Sequence, residues 1–128
     1  MGALDNKTIL IVDDDPDVVA AISMSLQDHG AKIVSAADGV QAVEVFEKEK
    51  PNLVILDMML PKRSGFLVLE RIKAKKDIPR PKIIMITGNL GSRHKSYAES
   101  QGVDDYINKP FRMVRLLESI EKLLAPPQ

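Results

Sequence analysis

The groups best suited to chemistry in this sequence are carboxylates that follow apolar runs. Asp13, Asp14 and Asp15 come directly after Thr8-Ile-Leu-Ile-Val12, and Asp57 comes directly after Leu53-Val-Ile-Leu56. An ionised carboxylate at the end of a buried segment must be solvated, paired or metal-bound, because burying it bare is far too costly. Asp13 beside Asp14 adds like-charge repulsion, which a nearby cation relieves. Donors made only of oxygen favour Mg2+ or Mn2+ over zinc, and Mg2+ commonly takes one or two carboxylates with waters and phosphate oxygens. Two more polar groups follow apolar runs: Thr87 after Lys82-Ile-Ile-Met-Ile86, and Lys109 after Val103-Asp-Asp-Tyr-Ile107. Acids for a metal, a hydroxyl and an ammonium are together equipment for holding a phosphoryl group.

Whether these groups meet depends on the elements that carry them. The runs at 8–12, 32–36, 53–57, 82–87 and 103–107 read as strands, and their continuous apolar character predicts burial on both faces of a parallel sheet. The run at 32–36 is more polar and is expected at a sheet edge. Apolar residues recur at helical spacing between the runs: Val18, Val19, Ile22 and Leu26; then Val40, Val43 and Phe46; then Leu67, Val68 and Ile72. A last helix carries Met113, Leu116, Leu117, Ile120 and Leu124 before Pro126-Pro127. Asp15 before Pro16 is a cap with proline at the first helical position, and Gly30 is a stop. Asp38 and Gln41 form a capping box, while Ser64 and Ser92 are further expected caps. The helix after Ser92 offers few apolar contacts around Arg93, His94, Lys95, Ser96 and Glu99, and is expected to be exposed and mobile.

Five alternating strand–helix units, joined by right-handed crossovers, specify a doubly wound α/β domain with a five-stranded parallel sheet. The flavodoxin-like order 2-1-3-4-5 makes the first and third strands neighbours, so Asp13, Asp14 and Asp57 converge at the carboxyl edge. The 128 residues suit one domain, with a core from about 8 to 124. No G-x-G-x-x-G or Walker loop occurs, and the position after the first strand holds acids instead of glycines; nucleotide and flavin binding are therefore excluded. Lys plus Arg (18) balance Asp plus Glu (18), which gives no hint of nucleic acid or an anionic membrane. Without Cys there is no disulfide framework and no thiolate chemistry, and no apolar run approaches the ~20 residues of a membrane span. A cytoplasmic domain is expected. His29 and His94 lack the spacing of a metal pair.

Val12-Asp13-Asp14, Leu56-Asp57-Met-Met-Leu-Pro61 with Gly65, Ile86-Thr87-Gly88 and Tyr106-Ile-Asn-Lys109-Pro110-Phe111 resemble the CheY-like receiver domain of two-component response regulators, from about Thr8 to Leu124. The resemblance implies that Asp57 accepts a phosphoryl group from the phosphohistidine of a sensor histidine kinase or a histidine phosphotransfer protein. It implies Mg2+ (or Mn2+) on Asp13, Asp14, Asp57 and the carbonyl of Met59. It also implies Lys109 paired with the phosphoryl oxygens, Thr87 donating to one of them, and a cis Lys109-Pro110 bond. Tyr106 would turn inward as Thr87 moves, changing the surface of helix four, strand five and helix five toward an unknown downstream target.

The resemblance further implies a phosphoacceptor rather than an enzyme, with self-catalysed phosphorylation and dephosphorylation only. Nucleic acid is not expected to bind this chain directly. A monomer or weak dimer is expected, with Arg112, Arg115, Glu118 and Asp104 available for pairing around strand five. The chain is either a stand-alone receiver or one cut from a longer regulator. A degenerate receiver, acting as a non-phosphorylated binding module, is the alternative; the complete acid set with Thr87 and Lys109 argues against it. A haloacid-dehalogenase-type hydrolase requires a second Asp two residues after the nucleophile, where Met59 stands. Met59 and Asn89 flank the entrance, and both are expected to tune how readily water reaches an acyl phosphate. Taken alone, Tyr106 reads as a half-buried sheet aromatic, Thr87 as an ordinary strand end and Lys109 as a solvated lysine.

Overall fold

The computed structural model describes residues 4–59, 65–88 and 92–125, the last segment without the side chains of 92–95. Strands β1 (Thr8–Val12), β2 (Lys32–Ala36), β3 (Leu53–Asp57), β4 (Lys82–Thr87) and β5 (Asp105–Asn108) alternate with five helices. These are α1 (Pro16–Gln27), α2 (Gly39–Glu49), α3 (Gly65–Ala74), α4 (Ser92–Ser100) and α5 (Met113–Leu124). The five strands form one parallel sheet in the order β2-β1-β3-β4-β5. This is the expected doubly wound order, with β2 at an edge and β1 beside β3.

The two faces of the sheet nucleate separate apolar clusters because successive strand residues point to opposite sides. Leu10, Val12, Val54, Leu56, Ile83 and Met85 pack on α2 and α3, against Phe46, Val68 and Leu69. Ile9, Ile11, Leu53, Ile55, Ile84 and Ile86 pack on α1 and α5, against Ile22, Leu26, Leu116 and Ile120. Leu4 joins the second cluster at 2 % exposure, and its N–H donates to the His29 carbonyl at 2.9 Å. The packed domain therefore starts before the expected first core residue, Thr8.

Caps set the helix starts. Asp15 Oδ1 accepts the Asp17 N–H at 2.9 Å with Pro16 first in the helix, and Gly30 adopts φ 88° beyond the end of α1. Asp38 Oδ1 accepts from Gln41 N–H, but the Gln41 side chain reaches the N–H of Ala37 rather than that of Asp38. Two apolar positions differ from expectation. Val40 and Leu67 are exposed (43 % and 49 %), because the buried positions of α2 are 39, 42, 43 and 46 and those of α3 are 65, 68, 69 and 72. At 100° per residue, each misplaced side chain falls well off its buried stripe. β5 begins at Asp105 rather than Val103, because Asp104 closes a local pair with Ile83 instead: its N–H donates to the Ile83 carbonyl and its Oδ2 accepts the Ile83 N–H. Ser92 is itself the first residue of α4, and Ser64 lies outside the described residues.

Candidate functional site

Parallel pairing of β1 with β3, and of β3 with β4, aligns Val12 with Leu56 and Asp57 with Ile86. Asp13 and Asp57 thus leave the sheet together at its carboxyl edge, where open α/β sheets place their sites. Asp13 is held across the strand end: its N–H donates to the Ala36 carbonyl (3.1 Å) and its Oδ1 accepts the Asp15 N–H (2.9 Å). Asp57 is 5 % exposed, and its Oδ1 accepts the Met59 N–H at 3.0 Å. Lys109 reaches both buried acids, with Nζ 2.9 Å from Asp13 Oδ2 and 3.3 Å from Asp57 Oδ2. Its backbone N–H donates to the Thr87 carbonyl (2.7 Å), which fixes the strand end, and the Lys109-Pro110 bond is cis. Asp14 is exposed, and one carboxylate oxygen from each of Asp13, Asp14 and Asp57 lies within 4.8 Å of the others.

The electrostatics match this geometry. Burial raises the Asp57 carboxyl above its ordinary value; the Met59 N–H and the Lys109 charge pull it back, and the neighbouring Asp13 adds to the rise. Burial works against the Lys109 charge, yet Asp13 and Asp57 together raise its affinity for the proton. Among the described residues, three carboxylates face one ammonium, so excess negative charge is left at the mouth of the site. An all-oxygen, net-negative donor set with one exposed member fits a hydrated divalent cation of the Mg2+ class. Asp13, Asp14, Asp57 and Lys109 thus converge, while Asn89 and the 60–64 loop lie outside the described residues.

Gly65 shows why the first residue of α3 matters. An added Cβ would stand 2.6 Å from the Asp57 carbonyl oxygen and 2.7 Å from Met58 Cα, while the Gly65 N–H donates to the Met58 carbonyl at 2.9 Å. The glycine lets α3 press directly on the backbone that carries Asp57 and Met58.

Thr87 is fully buried at the end of β4, at the same edge. Tyr106, on β5 opposite Met85, is half-buried and packs on the cluster that Phe66 and Val103 also touch. Its buried hydroxyl makes no well-formed hydrogen bond among the described residues. Burial raises the phenol pKa, and the Thr87 side chain opposes that rise. Asp105, which drew no attention in the sequence, lies at a junction. It accepts both Arg115 Nη1 and Nη2 (2.9 and 3.0 Å), Ser119 Oγ (2.6 Å) and the Tyr106 N–H (2.8 Å). Arg115 and Ser119 lie four residues apart, hence on one face of α5, which was the available signal. Of the residues named for pairing around β5, Arg115 pairs with Asp105 and Asp104 accepts the Ile83 N–H within this chain.

A parallel sheet in this order, with acids, a hydroxyl and a lysine on its strand ends, defines a doubly wound α/β domain with its polar site at the carboxyl edge. A profile of the response regulator receiver domain matches residues 9–121, and the chain belongs to that family. The probable transcriptional regulator ycf27 of Cyanophora paradoxa is 37 % identical over 121 residues, covering 94 % of this chain and 49 % of that protein. The chain spans about half the length of the curated relatives it matches. Among solved structures, the CheY-like receiver domain protein of Methanospirillum hungatei JF-1 superimposes with TM-score 0.81 at 36 % identity, covering 91 % of this chain and 93 % of that one. The BeF3-activated N-terminal receiver domain of Klebsiella pneumoniae RstA gives TM-score 0.84 at 29 % identity, covering 93 % of this chain and 99 % of that one.

Proposed function

We propose that the chain is the phosphoacceptor domain of a two-component phosphorelay, with Asp57 as acceptor. The observation that carries this reading is the Lys109 ammonium bridging the buried carboxylates of Asp13 and Asp57, with Asp14 exposed beside them. In the transfer, one Asp57 carboxylate oxygen attacks the phosphorus of a phosphohistidine. The O–P bond forms as the N–P bond breaks, and the imidazole leaves with the bonding pair and takes up a proton. The Met59 N–H on Oδ1 orients the Asp57 carboxylate. Lys109 pairs with the phosphoryl oxygens as they arrive, a charge match of the kind phosphoryl transfer relies on. Asp13, Asp14, Asp57 and the Met59 carbonyl would hold Mg2+ (or Mn2+), which when bound offsets phosphoryl charge. Thr87 donates to a phosphoryl oxygen, and Tyr106 responds at the surface formed by α4, β5 and α5.

Donors are read as a sensor histidine kinase or a histidine phosphotransfer protein. Two clefts flank α1 and support a protein donor. One of about 530 Å3 includes Asp13, Asp14 and Val19; the other, of about 440 Å3, is mostly apolar and includes Val18, Lys109 and Phe111. The downstream target, a monomeric or weakly dimeric state and a cytoplasmic location belong to the same reading; no described helix is long and apolar enough to cross a membrane. The domain is an acceptor that promotes its own phosphorylation and hydrolysis, not a turnover enzyme.

The test is intact-mass analysis after incubation with acetyl phosphate, with and without Mg2+, beside Asp57→Asn. One added phosphoryl group that requires both Mg2+ and Asp57 is expected. Because the RstA receiver is described as BeF3-activated, a beryllofluoride titration provides the second arm. A folded chain that takes up neither ligand is a binding module instead.

A further inference from the structure

Helix α4 is fastened to the domain differently from its neighbours. α1, α2, α3 and α5 each bury a stripe of side chains, whereas Ala98 is the one buried side chain among those described in α4. Among the described side chains, its fastenings gather on Tyr97 and on Gln101 and Gly102 just past its end. The Tyr97 ring meets Phe66 of α3 edge-on, with centroids 4.8 Å apart and planes at 80°. Lys73 Nζ donates to Gln101 Oε1 at 3.3 Å, and Arg80 Nη2 donates to the Gly102 carbonyl at 2.8 Å. The Arg80 bond is exposed and the Lys73 bond only part-buried, and both depend on long, flexible side chains, so they contribute little. Tyr97 is 44 % exposed, and Phe66 is the ring it meets among the described residues.

We infer that the Phe66–Tyr97 ring pair is a latch that sets how often α4 opens as a local unit, independently of the rest of the sheet. Elements with few buried apolar contacts open sub-globally, well below the global unfolding free energy. With little else of apolar character to oppose it, the latch governs that equilibrium. Phe66 packs on the same apolar cluster as Tyr106, so the latch residue on α3 and the aromatic of β5 share one packing environment. The consequence for signalling rests on the proposed function: the latch then sets what fraction of molecules presents an ordered α4 within the α4–β5–α5 surface.

The test is amide hydrogen exchange on the full chain, comparing wild type, Tyr97→Leu, Phe66→Leu and the double variant. Leucine keeps apolar bulk and helix propensity while removing the ring contact. Either single change is expected to speed exchange at 96–101 by about 2- to 13-fold, the equivalent of the 0.5–1.5 kcal/mol of an edge-to-face pair. The double variant is expected to add nothing beyond the larger single effect, and amides of β1 and β3 are expected to stay unchanged. Unchanged exchange in both singles, additive effects in the double, or acceleration spread over β1 and β3 overturns the latch. Exchange does not depend on phosphorylation, so the latch can fail while Asp57 accepts a phosphoryl group, and the reverse.

Discussion

Lys109→Met removes the ammonium that, among the described residues, faces Asp13 and Asp57. Both acids are nearly inaccessible, at 3 % and 5 % exposure, so neither can recover its hydration without opening the strand ends. Breaking a buried pair by deleting one partner costs about 3–5 kcal/mol, mostly because the remaining charge is stranded. Lys109 is itself 26 % exposed, which favours the lower end, about 3 kcal/mol. Urea unfolding in EDTA measures this loss directly. Repeating it with saturating Mg2+ tests the cause, since a divalent ion on the same carboxylates replaces the missing positive charge and stabilises the folded state by linkage. The deficit of the variant should then shrink to below about 1 kcal/mol, the scale of an exposed pair. Asp57→Asn should move the other way in EDTA and exceed wild type, because burial and Asp13 already hold the Asp57 carboxyl above its ordinary range. An equal Lys109→Met deficit with and without Mg2+ would falsify the charge-compensation argument, and so would an Asp57→Asn chain less stable than wild type in EDTA.

Three further outcomes follow from other contacts. Gly65→Ala pushes a Cβ to 2.6 Å from backbone that cannot yield, so urea unfolding should show a loss of about 1–3 kcal/mol together with weaker beryllofluoride binding; Gly88→Ala, with nothing within 4 Å, is the near-neutral control. Leu4→Ala empties a position 2 % exposed in the α1–α5 cluster, and a loss near about 2 kcal/mol is expected; a neutral result would mean that the segment before β1 is not packed in solution. The Asp105 carboxyl is pushed up by burial but pulled further down by Arg115, Ser119 and the Tyr106 N–H, leaving it below its ordinary value. A depressed carboxyl contributes stability above its unfolded pKa and loses it as pH falls through the folded one, so the gap between wild type and Asp105→Asn should narrow as pH drops below about 4; a gap independent of pH sinks that account.

The sheet was legible because its strands are apolar runs whose ends carry the polar groups. Val12–Asp13 and Leu56–Asp57 state both burial and exit point in adjacent residues, and the strand order follows from alternation. The same directness made Asp13, Asp14, Asp57 and Lys109 readable as one site. Helix faces were less secure: Val40 and Leu67 are apolar and near the right spacing, yet glycines at 39 and 65 take buried positions, and at Gly65 the backbones come close. A pattern search for large apolar residues passes over a stripe that begins with glycine. Leu4 was missed because a single apolar residue in a polar segment has no period to reveal it.

The polar and aromatic contacts that the sequence left out are concentrated on one side of the molecule, and the reason is physical. α1, α2, α3 and α5 are attached by apolar stripes, which announce themselves through periodicity. Around β5, single polar or aromatic groups far apart in the chain add to the β4 ladder and the buried Ile107: Asp105 with Arg115 and Ser119, Arg80 with Gly102, Phe66 with Tyr97. None of these has a repeat, and each is worth about 0.5–3 kcal/mol, far less than a buried stripe. Elements held this way can be repositioned by a ligand whose differential affinity is of the same size, whereas the β1–β3 core cannot. Illegibility in sequence and susceptibility to switching therefore share one cause here. Under the proposed function, α4, held by those few long-range contacts, is the element that a phosphoryl group on Asp57 would move most readily, while α5 keeps its apolar stripe.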